Sequence, residues 1–165
     1  MNRALILRNR QRTRSVQTRL LRRIAEYLLA DVFQAEQFEL GIHLVTAKEI
    51  TRLNQAFLAH EGGTDVITFD HAEKAEQFHG EIFICIDEAV SQAKKFRTSW
   101  QAELVRYLIH GLLHLRGFDD VEPAARREMK REENRVLRDL AKNFTFAGLA
   151  VKGAARKSKI ANRKS

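Results

Sequence analysis

From Val16 to Phe33 apolar residues recur every three or four positions (Leu20, Leu21, Ile24, Tyr27, Leu28, Val32), which predicts an amphipathic helix. The short apolar run Ala4–Leu7 before it reads as a first strand. After it, Phe38–Val45 alternates loosely between apolar and polar residues, the two-residue period of a strand. Thr46 then stands where a helix cap belongs. Glu49, three residues on, completes a capping box for a helix from Ala47 to about Leu58. Gly62 and Gly63 mark a turn. Val66–Phe69 and Gly80–Ile86 read as two further strands, the second rich in isoleucine. Asp87 is placed to cap a helix running to about Phe96, and Ser99 to cap the next, which runs through a greasy stretch ending near Leu115. Pro123 suits the first turn of a last helix reaching about Leu140.

Helices and strands mix here without a strict βαβ rhythm. The fold class that follows is α+β, a small mixed sheet with helices packed on it. No internal repeat and no linker divides the chain. Residues 1–145 are expected to form one domain. From 146 to 165 Gly, Ala, Lys and Ser dominate, which predicts a basic, disordered tail.

The composition keeps this picture and removes others. Of 165 residues 44% are hydrophobic and 30% charged, a globular balance with length for one core. No apolar run is long enough to cross a bilayer. The first residues return to arginine after four apolar positions, so no secretory leader is expected. Cys85 is the only cysteine, which rules out an internal disulfide and fits a reducing, cytoplasmic setting. The net charge of +8 attracts phosphates. Arg3, Arg8, Arg10, Arg12, Arg14, Arg19, Arg22 and Arg23 crowd one end, and Lys152, Arg156, Lys157, Lys159, Arg163 and Lys164 the other. Arginine's planar fork, and the lack of a basic helix with an aromatic face, favour nucleic acid over a membrane surface.

The stretch HGLLHLRGFDD, His110 to Asp120, carries the candidate chemistry. Residues four apart lie on one face of a helix, so His110 and His114 aim two imidazoles at one point. Gly117 can take a left-handed backbone, end the helix and turn the chain back. Either Asp119 or Asp120 then swings beside the histidines. Two nitrogens and a carboxylate oxygen make a three-ligand site with a position left open for water, as catalytic zinc requires. The residue after the first histidine is Gly111, where H-E-x-x-H metalloproteases carry their glutamate base, so peptide hydrolysis is disfavoured.

These residues resemble the signature H-G-x-L-H-L-x-G-Y-D-H of the YbeY endoribonucleases, also called rRNA maturation factors. His110, Gly111, Leu113, His114, Leu115, Gly117, Phe118 and Asp119 are in step with it. Leu53-Asn54 with Phe57, then Thr64-Asp65-Val66 and Phe69, resemble the family's L-N-x-x-[FY]…T-[DN]-V-L-S-F. Gly80-Glu81-Ile82 is similar to its G-D-I strand, and Met129 with Glu132 to the M-x-x-E of its last helix. The likeness spans about Leu40 to Leu140. It implies a zincin-like metal-site helix and a metal-dependent, single-strand-specific endoribonuclease of rRNA processing and ribosome biogenesis. It implies one Zn2+ per chain held by His110, His114 and Asp120, with ribosomal RNA, its precursors and ribosomal subunits or proteins as partners. Asp120 stands where the family has a third histidine, and Leu58 where it has an arginine that serves RNA cleavage. Arg52 or Lys74 is the candidate replacement for that cation. No catalytic side chain is singled out beyond water at the open metal position. A non-catalytic, metal-binding ribosome-assembly factor is the rival expectation, and Leu58 is its best support.

The remaining polar and aromatic residues are read individually. Asp65 is either a turn carboxylate or a neighbour of the metal cleft. His60, His71 and His79 read as surface residues, His43 as structural and Trp100 as packing. Phe69 and Phe118 are candidates for stacking a nucleotide base. Glu81 is expected to support the metal site.

Overall fold

The computed structural model describes residues 3–58, 63–74 and 77–151. Gly62, His60 and the basic run from Lys152 onward lie outside them. The elements in order are β1 (Arg3–Asn9), α1 (Thr18–Tyr27), a π-helical turn (Leu28–Val32), β2 (Phe38–Val45), α2 (Ala47–Leu58), β3 (Val66–Asp70), β4 (Phe78–Cys85), α3 (Ile86–Phe96), α4 (Trp100–Leu115), α5 (Pro123–Asn143) and a 3-10 turn (Phe146–Leu149).

The sheet runs β1-β2-β4-β3. β1 and β2 pair in parallel, β2 and β4 in parallel, and β3 closes the edge antiparallel to β4. Alternation then separates two faces. Leu40, Ile42 and Leu44 of β2 and Phe78, Ile82 and Ile84 of β4 face the main core, with Leu21, Ile24 and Leu28 from the α1 side. Leu108 and Leu112 of α4 and Val136 and Leu140 of α5 complete that core, all fully buried. The opposite face is partly covered by α2, where Ile50 packs on Val45, Ile67, Phe83 and Cys85.

Sequence punctuation fixes the helix starts. Ser99 caps α4, its hydroxyl accepting from the Ala102 N–H at 3.1 Å. The Thr46 hydroxyl accepts from the Glu49 N–H at 3.2 Å at the start of α2. Asp87 does not cap its own helix, because Ile86 is already helical. Its carboxylate instead accepts from the Ala47 N–H at 2.6 Å and from Thr13, so it caps α2 and ties that helix to the N-terminal segment.

The tail expected to be disordered from 146 onward is ordered at its start. Leu149 is fully buried, the Gln17 N–H donates to its carbonyl at 2.7 Å, and Val16 bridges to Ala150. One apolar side chain in a polar stretch, given a seat beside α1 and α4, is enough to hold the backbone.

Candidate metal centre

α4 lies hard against the sheet. A Cβ at Gly111 would stand 2.8 Å from Ile82 Cγ2, so only glycine allows this approach. The flank of α4 beside that contact carries His110 and His114, each about a quarter exposed.

The bend after α4 brings in the acid. Gly117 has φ +104°, a backbone that side chains other than glycine rarely adopt. The Phe118 N–H reaches back to the Leu113 carbonyl and the Gly117 N–H to that of His114, both at 3.0 Å, the paired bonds of a Schellman close. Asp119 Oδ1 then accepts from the backbone N–H groups of Asp120 and Val121 at 2.7 and 3.1 Å. Asp119 therefore shapes the turn, and Asp120 is the carboxylate aimed at the histidines. Its Oδ2 lies 3.4 Å from His110 Nε2 and 3.5 Å from His114 Nε2.

Both ring tautomers are set from behind. His114 Nδ1–H donates to the Phe118 carbonyl at 3.2 Å. His110 Nδ1–H donates to Glu133 Oε2 at 2.7 Å. The two Nε2 atoms, 3.1 Å apart, then point lone pairs at each other and at a carboxylate oxygen. Three acceptors so close repel unless a positive charge sits among them. One hard carboxylate oxygen and two borderline imidazole nitrogens are a donor set that fits a divalent metal, and His110, His114 and Asp120 offer ligand atoms all within 4.8 Å of one another.

Glu133 was not expected here. Its neighbour Glu132, which matches the M-x-x-E of the family's last helix, pairs with Arg135. Glu133, only 5% exposed, is the residue on His110, and Arg106 steadies it from the other side at 3.3 Å. Its signal lay in the stripe Met129, Glu133, Val136, Leu140, the buried face of α5. Burial alone would raise the Glu133 carboxyl, yet the His110 bond and charge, with Lys130 and Arg106, hold it below its ordinary range. Burial likewise pushes His110 down, and Glu133, Asp65 and Asp120 outweigh it to leave the imidazole raised.

A cleft of about 800 Å3 opens beside the triad. Asp65 lines it along with His110 and Asp120, so the turn carboxylate is also a neighbour of the metal position. The cations lining the cleft are Arg106, Arg126, Arg127 and Lys130. Leu58, Arg52 and Lys74 are not among the residues that line it. Glu81 is not a support of the site either. It points to the opposite sheet face, where His43 Nε2 and His71 Nε2 meet its two oxygens at 3.1 and 3.4 Å. Phe69 packs edge-on to Phe57 and Phe83, and Phe118 packs against the core, so neither is a free platform. Trp100 also packs on the core.

The model of the family described as Endoribonuclease YbeY matches residues 6–141. The chain belongs to the YbeY endoribonuclease family. YbeY relatives agree along most of its length. The protein named Endoribonuclease YbeY from Salinibacter ruber is 34% identical over 67% of this chain and 78% of its own. The one from an Anaeromyxobacter species is 37% identical over 88% of this chain and 74% of its own. A solution structure of a Thermotoga maritima protein superposes with a TM-score of 0.59 at 26% identity, covering 84% of this chain and 93% of that one. The α+β architecture is thus shared with a solved relative. Among the described residues, no helix is long and apolar enough to cross a membrane.

Proposed function

We propose that this chain is a zinc-dependent endoribonuclease that cuts single-stranded RNA and acts in ribosomal RNA maturation in the cytoplasm. The observation that carries this reading is the convergence of His110 Nε2, His114 Nε2 and Asp120 Oδ2 beside a cleft rimmed with cations. These three residues would hold the ion, one per chain. A bound divalent ion supplies Lewis acidity toward a phosphodiester and toward water.

The protein's own residues do the positioning. Glu133 fixes the His110 tautomer and makes its outward nitrogen a better donor. The Phe118 carbonyl does the same for His114. Gly111 puts no carboxylate directly after His110, where H-E-x-x-H peptidases carry their general base, which separates this site from them. Precursor ribosomal RNA incubated with the purified protein should be cut in the presence of zinc and left intact with chelator. Equal cleavage in both would refute metal dependence, and no cleavage in either would refute the nuclease reading.

A second reading is a metal-binding ribosome-assembly factor without cleavage activity. Leu58, exposed at 42% where the family resemblance puts an arginine, is the observation that favours it. Stable binding to ribosomal subunits together with a failure to cut any RNA substrate would select it.

A further inference from the structure

The cleft beside the triad has walls from different helices. α3 and α5 both pack on α4, and the cleft is lined from all three. Glu103 of α4 and Glu133 of α5 are buried and already bonded, to Thr98 and to His110 with Arg106. The carboxylates left partly open to the cleft are Asp65 and Asp120, next to the metal position.

The α5 wall is different in character. Arg126, Arg127 and Lys130 line the cleft and are exposed. Among the described residues neither Arg126 nor Arg127 has a carboxylate partner, and Lys130 reaches Glu133 only at 4.0 Å. Arginines of the N-terminal segment, by contrast, are partly committed: Arg10 to Glu49, Arg22 to Glu26 and the Leu5 carbonyl, Arg3 to the Glu36 carbonyl. Arg126 and Lys130 stand one turn apart, about 6 Å along the axis, a spacing that suits neighbouring phosphates of an extended strand. The α3 side carries Phe96, a cleft-lining ring that is 62% exposed. The Lys95 ammonium stands over this ring at 5.4 Å from its centroid. A largely exposed ring beside free cations suits a strand with unpaired bases, because stacking needs a base that is not already in a duplex.

We propose that α5 is the phosphate-binding wall for single-stranded RNA in this chain, through Arg126, Arg127 and Lys130, and that Phe96 stacks one unpaired base. The inference rests on the endoribonuclease reading and names where its substrate lies. It also supplies the cations that Leu58 does not.

The test is fluorescence anisotropy of the zinc-loaded protein with a 2′-O-methyl oligouridylate of about 12 nucleotides. Arg126→Gln with Arg127→Gln should weaken binding by about ten-fold and lower the salt slope by roughly 1.4, two phosphates' worth for a single strand. Phe96→Ala should cost about five-fold or more, and Phe96→Tyr should restore it. Lys48→Gln with Lys142→Gln removes as much charge from exposed positions outside the cleft and should change binding by less than about two-fold. Metal content and melting temperature should match wild type in every variant. Wild-type affinity and slope in the α5 double variant would overturn the proposal. So would a loss no greater than the control's, or equal affinity for a matched duplex or for polyglutamate of the same charge. Cleavage assays separate the two readings: a double variant that cuts with unchanged KM sinks this inference alone. A wild-type protein that neither binds nor cuts RNA sinks the nuclease reading, and this with it.

Discussion

Glu133 Oε2 lies 2.7 Å from Nδ1 of His110, and this buried contact decides which nitrogen of that ring faces the cleft. The expectation is that Glu133→Gln weakens zinc binding by about 10- to 100-fold, the usual effect of losing such a partner, while the protein stays folded. Competitive titration against a chelator reads the change. Glu132→Gln, which removes only an exposed partner of Arg135, should leave zinc affinity as it is.

Asp119 and Asp120 are adjacent and do different work. Asp120→Asn should lower zinc affinity more than Asp119→Asn, because only Asp120 directs an oxygen at both imidazoles. Asp119→Asn keeps an oxygen able to accept the two backbone N–H groups of the turn. His114→Ala should abolish stoichiometric metal in elemental analysis. The reverse ranking of the aspartates, or full metal in His114→Ala, would refute the ligand set.

The His110–Glu133 pair makes the metal-free protein's stability depend on pH. Glu133 lies below its ordinary 4.5, so its contribution is present above that value and is lost as pH falls through the lowered one. His110 lies above its ordinary 6.5, so its contribution is complete below 6.5 and is lost as pH rises through the raised value. In chelator, the stability difference between wild type and Glu133→Gln should therefore be largest between pH 4.5 and 6.5 and shrink on both sides. Urea unfolding across that range measures it, and a flat difference would contradict the pairing.

Leu149 should matter although it lies in the segment that reads as tail. It is fully buried, so Leu149→Ala should cost about 2–5 kcal/mol in denaturant unfolding. Leu58→Ala, at an exposed position, should change stability by no more than about 0.5 kcal/mol.

Much of the fold was legible because local rules and tertiary demands agree there. β2 spans Phe38–Val45 and α2 spans Ala47–Leu58, as alternation and the Thr46 cap require. His110, His114 and the turn at Gly117 were legible because spacing on a helix and a left-handed glycine are local properties. The misses came from long-range choices. Asp87 caps a helix forty residues away in sequence, which its own neighbourhood does not announce. Glu132 and Glu133 are equally charged, and which one meets His110 depends on the rotation of α5 against α4. Glu81 faces away from the metal position because the pleat sends it opposite Ile82, the residue under Gly111.

The bare backbone at Gly111 sets the height of the whole constellation. A larger residue there would press on the Ile82 side chain, so an exchange to glutamate would have to displace Ile82 or shift the helix that carries both rings. Whether water or the RNA's 2′-hydroxyl attacks, the proton it gives up must go to a base outside the position after His110.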